Sequence, residues 1–241
     1  MMRKSLFIIA LVYSCLLCAA DFVPESRWIT ASEGNVDAEN TWIAFRKDIT
    51  LGSIPMKVEA SIAADYKYWL WINGEMVVFE GQLKRGPTPK DTYYDKVDIT
   101  PFLKKGNNEV AVLLWYFGKS GFSHNSSGKS GLLFSAQAIG LYSSSQWMSR
   151  IHPAYGTCED PKPNGRLSES SIRYDGNKDL GEWQTGSVQD GFAASKEIGK
   201  AGAAPWNALV ERPTPLWKDF GPKKGKYVTK RGAEEDTLVV A

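Results

Sequence analysis

Lys67-Tyr68-Trp69-Leu70-Trp71-Ile72-Asn73-Gly74-Glu75-Met76-Val77-Val78-Phe79 is the stretch on which the fold turns. Both of its apolar runs are rich in aromatic and aliphatic side chains that suit a pleated surface. Asn-Gly between them tolerates the positive φ angles of a two-residue type I′ turn, so the stretch predicts a β-hairpin. Successive side chains on a strand point to opposite sides, which puts Tyr68, Leu70 and Ile72 on one face and Trp69 and Trp71 on the other. A strand apolar on both faces needs cover on both, and one solvated sheet does not supply it.

Outward from this hairpin, Val58, Ala60, Ile62 and Ala64 alternate with Glu59, Ser61 and Ala63, the period of a strand with one core-facing side. Residues 92–99 read as a strand with Tyr94 and Val97 as sheet contacts. Residues 109–117 read as a strand buried on both sides, because Val110, Val112, Leu114 and Tyr116 oppose Ala111, Leu113, Trp115 and Phe117. Segments 28–29, 42–49 and 132–139 add further strands. Thr100-Pro101-Phe102 predicts a short helical turn with Thr100 as its cap and Pro101 in its first position. Short strands joined by turns, with little helical periodicity, predict an all-β fold: a jelly-roll-like antiparallel β-sandwich with long irregular loops and a C-terminal extension.

The sandwich is expected to span residues 21–220, with a wrapping excursion around 149–210. Within that excursion, residues 171–174 and 181–184 read as short returning strands, and 190–197 and 204–210 as short helical or strand segments. Residues 221–241 read as a loosely ordered tail or as the truncated start of another domain, with Leu238-Val239-Val240 as one extra strand.

The 241 residues are 43% apolar, 12% aromatic and 23% charged, which excludes a disordered polymer and a short disulfide-stapled module. So much aromatic area demands burial or a flat ligand. Arg3 and Lys4, the apolar run 5–17 and Cys18-Ala19-Ala20 compose a secretory leader over residues 1–20, which predicts an exported, periplasmic, extracellular or envelope-associated product. Two processing routes fit: cleavage after Ala20, or lipidation of Cys15 or Cys18, with Val12-Tyr13-Ser14-Cys15 resembling a relaxed lipobox. No later apolar run approaches the roughly 20 residues of a transmembrane helix. Two of the 29 basic residues lie in the leader, so 27 bases face 27 acids beyond it. That balance provides no global positive field for nucleic acid. Cys158 is the one cysteine beyond residue 20, which leaves no intrachain disulfide there and reads as a structural or incidental thiol.

The run Ala63-Ala64-Asp65-Tyr66-Lys67-Tyr68-Trp69-Leu70-Trp71-Ile72-Asn73-Gly74, joined to Val77-Val78-Phe79-Glu80-Gly81, resembles the N-terminal β-sandwich region of bacterial α-L-rhamnosidase-like glycoside hydrolases. The resemblance continues through Arg85-Gly86-Pro87, Asp91-Thr92-Tyr93-Tyr94-Asp95 and Asp98-Ile99-Thr100-Pro101-Phe102-Leu103. It extends to Trp115-Tyr116-Phe117-Gly118-Lys119-Ser120-Gly121-Phe122-Ser123-His124 and His152-Pro153-Ala154-Tyr155-Gly156. It implies a carbohydrate setting and, in such enzymes, a separate (α/α)₆ domain whose carboxylic acids cleave terminal rhamnose. The present chain is too short to hold that domain as well.

The expectation is therefore a non-catalytic carbohydrate-binding or accessory domain, with a rhamnose-containing glycan as the ligand class and a neighbouring catalytic domain as a partner. A truncated or atypical glycoside hydrolase and a purely structural support for a catalytic domain are the alternatives. The candidate contact residues are Trp69, Trp71, Trp115, Tyr116, Lys119 and His124: aromatic faces for sugar C–H surfaces, and Lys and His for hydroxyls. For the Trp pair, packing or a wall beneath loops is the competing role. Glycoside cleavage needs two carboxyls at controlled separation. Asp65, Asp91, Asp95, Glu159, Asp160 and Glu169 offer carboxyls without a motif that pairs them, so no catalytic residue is assigned. His124 and His152 lie apart and make no zinc pattern, no cofactor is expected, and structural calcium is not predicted. Gly118-Lys119-Ser120-Gly121 lacks the glycine spacing of a phosphate-binding loop.

Overall fold

The computed structural model describes residues 21–82, 85–121, 125–158, 168–186, 190–218, 220–221, 223–227 and 236–240. Its strands, in chain order, are β1 (Arg27–Thr30), β2 (Thr41–Leu51), β3 (Glu59–Asp65), β4 (Lys67–Ile72), β5 (Glu75–Gly81) and β6 (Thr92–Asp98). There follow β7 (Gly106–Tyr116), β8 (Gly131–Ala136), β9 (Leu141–Tyr142), β10 (Met148–Ile151), β11 (Tyr155–Thr157) and β12 (Ile172–Tyr174). The chain continues through β13 (Ala193–Ala194), β14 (Lys196–Lys200), β15 (Leu209–Glu211), β16 (Lys223–Tyr227) and β17 (Asp236–Val240).

Two sheets make an all-β sandwich. The first runs β14-β1-β8-β3-β6-β15, with β9 also on β8; the second runs β13-β10-β2-β7-β4-β5. Their pairs are antiparallel except β15, which lies parallel to β6. The excursion supplies a small hairpin of its own, β11 with β12, and β16 pairs antiparallel with β17. No helix among the described residues is long and apolar enough to cross a membrane.

Alternation dictates how the sandwich closes. Ile29, Ile62 and Phe134 from the first sheet join Ile43, Phe45, Leu70, Val112 and Leu114 from the second in one buried cluster. In β4 the inward set is Tyr68, Leu70 and Ile72, as the strand period requires, and Trp69 and Trp71 face outward. β2 and β7 pair without interruption from Thr41↔Tyr116 to Leu51↔Gly106 and form the spine of the second sheet. The hairpin turn is as expected: Asn73 and Gly74 both have positive φ, 54° and 81°.

Several local expectations need correction. Thr100 does not cap the turn at Thr100–Phe102, because it sits within the turn and Ile99 precedes it as the cap residue. The Thr100 hydroxyl instead donates to Asp98 Oδ1 at 2.6 Å and accepts from the Val58 amide at 2.7 Å, tying the turn to the start of β3. The strand read over 132–139 ends at Ala136, and Gln137–Ile139 form a 3₁₀ turn closed by Gly140 at φ 62°. The strand read over 181–184 is a 3₁₀ turn, Trp183–Thr185, because Trp183 is drawn inward as an anchor.

Both outer faces of the sandwich are also apolar. On the first sheet, Trp28, Ala63, Leu133 and Tyr94 are covered by Phe22 and Trp206, and the Trp28 and Trp206 rings stack at 4.1 Å. On the second sheet, Trp42, Ala44, Ala111, Leu113 and Trp115 are covered by Leu180 and Trp183, with Tyr155, Ile172 and Phe192 packed beside them. Each such aromatic removes on the order of 150–250 Å² from water. This cover keeps sheets that are apolar on both faces folded.

Candidate functional site

The outer face of the second sheet follows from its register. Trp42 of β2 lies opposite Trp115 of β7, which lies opposite Lys67 of β4; the next outward row is Ala44, Leu113 and Trp69, and the third is Arg46, Ala111 and Trp71. The small Ala44 and Ala111 leave room for large rings beside them. Trp42 stacks on Trp115 at 5.3 Å and on Trp69 at 5.3 Å, while Tyr155 lies on Trp42 at 4.0 Å and 15°. Trp71 meets the edge of Trp183 at 5.8 Å.

Cover over this face is incomplete. Tyr155, Trp183 and Phe192 close over β2 and β7, where Trp42 and Trp115 are buried. Along β4, Trp69 and Trp71 remain half-buried and keep part of each ring at the surface. Two parallel-facing Trp side chains two residues apart thus border a step between covered and open sheet.

Lys67 stands at the end of that row. It is buried, with its ammonium 5.2 Å from the Trp115 ring centre, 3.5 Å from Glu80 Oε2 and 2.5 Å from Glu169 Oε1. The carboxylates and rings replace the water that burial removes from the ammonium. At the other end, Arg46 pairs with Glu109, and burial pushes the Glu109 carboxyl up despite the guanidinium. His152 lies beneath the covering loops against Tyr155 and Trp183, and burial pushes it down to about 4, so it is neutral at pH 7.

The candidate contact residues therefore separate. Trp69 and Trp71 share the open row. Trp115 is on the same face but fully buried, its indole N–H donating to Asn40 Oδ1 at 3.3 Å, so its ring is a support beneath the surface. Tyr116 points to the other side of β7 and is buried, with its hydroxyl 3.4 Å from Ser126 Oγ. Lys119 sits at the sandwich end, paired with Glu39 at 2.9 Å and over the Phe117 ring at 5.3 Å. His124 lies outside the described residues. Sequence reasoning missed Lys67, although its parity with Trp69 and Trp71 places it on their face; Glu80 and Glu169 join it only through the hairpin and the excursion.

Each candidate carboxylate among the described residues has a partner in the scaffold. Asp95 accepts from Tyr68 at 2.8 Å, from the Gln82 amide at 3.0 Å and from Arg212 at 2.5 Å. Asp65 accepts from the Ser127 amide at 3.2 Å with Arg85 3.9 Å away, and burial pushes its carboxyl up to about 6. Asp91 accepts from Thr88, and Glu169 is the partner of Lys67. Glu159 and Asp160 lie outside the described residues. Among the described residues no group of three or more His, Cys, Asp or Glu is placed to hold a metal ion.

The fold has relatives of known structure. It is similar to a GH78 family rhamnosidase of Bacillus sp. GL1, with TM-score 0.67 and 27% identity over 83% of this chain and 20% of that one. An α-L-rhamnosidase from Aspergillus terreus shares the fold at TM-score 0.60 and 21% identity, over 89% of this chain and 25% of that one. One from Dictyoglumus thermophilum does so at 0.55 and 18%, over 87% and 25%. No protein-family model and no curated protein matches the chain. The chain thus resembles the N-terminal β-sandwich region of α-L-rhamnosidase-like glycoside hydrolases and spans about a fifth to a quarter of the length of these relatives.

Proposed function

We propose that this chain is a non-catalytic carbohydrate-binding or accessory module, exported through its leader, that takes rhamnose-containing glycans on the open aromatic row of its second sheet. The observation that carries this reading is the half-buried pair Trp69 and Trp71, held on a strand and backed by Trp42 and Trp183. Flat indoles offer C–H contact to a sugar ring, and rigid backing removes the ordering cost of forming the platform on binding. Glu80 and Glu169 beside the row supply acceptors for hydroxyls, and Lys67 fixes their positions. Rhamnose is the ligand class because the similar structures are rhamnosidases. A panel of rhamnose-terminated and rhamnose-free oligosaccharides tests the reading on the purified chain: binding confined to rhamnose-bearing members supports it, and binding to none contradicts it.

A second reading, structural support for an adjoining catalytic domain, is favoured by Trp217 and Phe220, which are 56% and 72% exposed near the end of the sandwich. Co-purification with a glycoside hydrolase domain, lost in Trp217→Ser/Phe220→Ser, is the result this reading expects. Retention of that domain by the double variant would contradict it.

A further inference from the structure

We propose that the chain carries a second binding site, for a neutral polyol of monosaccharide size, in a cleft on the outer face of its first sheet. The cleft has a volume of about 490 Å³, within the range of small-molecule sites. It lies on the opposite sheet from Trp69 and Trp71, so it is independent of the platform described above.

Its apolar side is built from the half-buried Val36, Ile198 and Pro205, laid over the buried Ala31 and Trp206. That side is held in place from several directions. Trp206 stacks on Trp28 at 4.1 Å, the Trp206 carbonyl accepts from the Thr92 hydroxyl at 2.8 Å, and the Pro205 carbonyl accepts from Arg85. A C–H face therefore meets a wall that does not have to form on binding.

The polar side is fixed in the same way. Asp37 Oδ1 accepts from the Ser130 amide at 2.8 Å and its Oδ2 from Lys129 at 2.8 Å. Glu197 Oε1 accepts from the Ser145 amide at 2.8 Å. Asp37 and Glu197 are both among the residues that line the cleft, each with its carboxylate held in place, and Glu197 Oε2 also lies 3.9 Å from Arg27 Nε. Lys196, opposite Thr30 in the β1–β14 pair, also lines the cleft, and it has no ion pair among the described residues.

These groups select the ligand's charge. Two carboxylates, Asp37 and Glu197, and two ammonium groups, Lys129 and Lys196, leave the lining neutral in sum. An anion would face the two acids, and a cation the two lysines. Hydroxyl groups satisfy both, since they donate to the carboxylates and accept from the Lys196 ammonium. A polyol with an apolar ring face matches the wall as well.

Titration of the purified chain with L-rhamnose, D-galactose and D-glucose, each to about 50 mM to cover a millimolar site, tests this by resonance shifts at assigned amide and indole groups. Saturable shifts at Lys129, Ser130 and Trp206 with at least one sugar are expected. Lys196→Ala, at an exposed side chain, should weaken that binding about tenfold, and Trp69→Ala should leave it unchanged. Absence of saturable shifts at these positions with all three sugars, or binding there that neither Lys196→Ala nor Asp37→Asn alters, would overturn the proposal. Shifts at the Trp69 and Trp71 indoles report the platform separately, so either site can fail without the other.

Discussion

Trp115 and Trp69 sit on one face of one sheet, yet only the second keeps surface to offer. The difference sets opposite outcomes for the same substitution. Trp115→Ala opens a cavity under Lys67 and Trp42 and is expected to cost about 3–5 kcal/mol in denaturant unfolding. Trp69→Ala should cost less stability and show its main effect in glycan binding. Asp65 makes a separate residue-scale prediction. Burial holds its carboxyl at about 6 against an ordinary 3.8, so the folded chain keeps a proton that the unfolded chain releases. The associated stability is complete below the unfolded value and is lost as pH rises through 6. Ionisation then costs on the order of 3 kcal/mol. Unfolding curves at pH 4 and pH 7 should show Asp65→Asn gaining on the natural chain by about that amount at the higher pH.

The hairpin turn binds more than its own two strands. Asn73 donates to the Phe102 carbonyl at 2.9 Å and to Asn108 at 3.0 Å, and accepts from the Glu109 amide at 3.2 Å. Asn73→Gly keeps the positive φ and loses these bonds, so a loss of about 2 kcal/mol on unfolding would isolate the side chain from the turn geometry. β15 is held differently: it adds in parallel to β6, and just beyond it the Arg212 guanidinium reaches buried Asp95. Arg212→Ala should destabilise by about 3 kcal/mol, because the carboxylate stays buried with only Tyr68 and the Gln82 amide as donors.

The central strands were legible because period two and Asn-Gly are local signals. Tyr68, Leu70 and Ile72 pack inward, and Trp69 and Trp71 outward, as their parity requires. Thr100 misled because its hydroxyl turns to Asp98 and Val58 instead of the following amides. Trp183 misled because a lone aromatic in a Gly-rich run carries no period, although long-range packing against Trp71 fixes it. Of the candidate site, the Trp pair was legible by parity. The Lys67–Glu169 contact was not, since its partners are separated by 102 positions along the chain.

Across the whole molecule, two sheets apolar on both faces require an inner core and two outer covers. The outer cover on the second sheet stops short of β4, and the proposed function lies at that boundary. Calorimetric titration with the tightest glycan from the panel, comparing the natural chain with Trp69→Ala/Trp71→Ala, examines this directly. With an unchanged circular dichroism spectrum, the double variant is predicted to lose at least about thirtyfold in affinity, from roughly 1–3 kcal/mol of aromatic contact at each ring. Full affinity in a folded double variant would contradict the assignment of the open Trp row as the sugar platform.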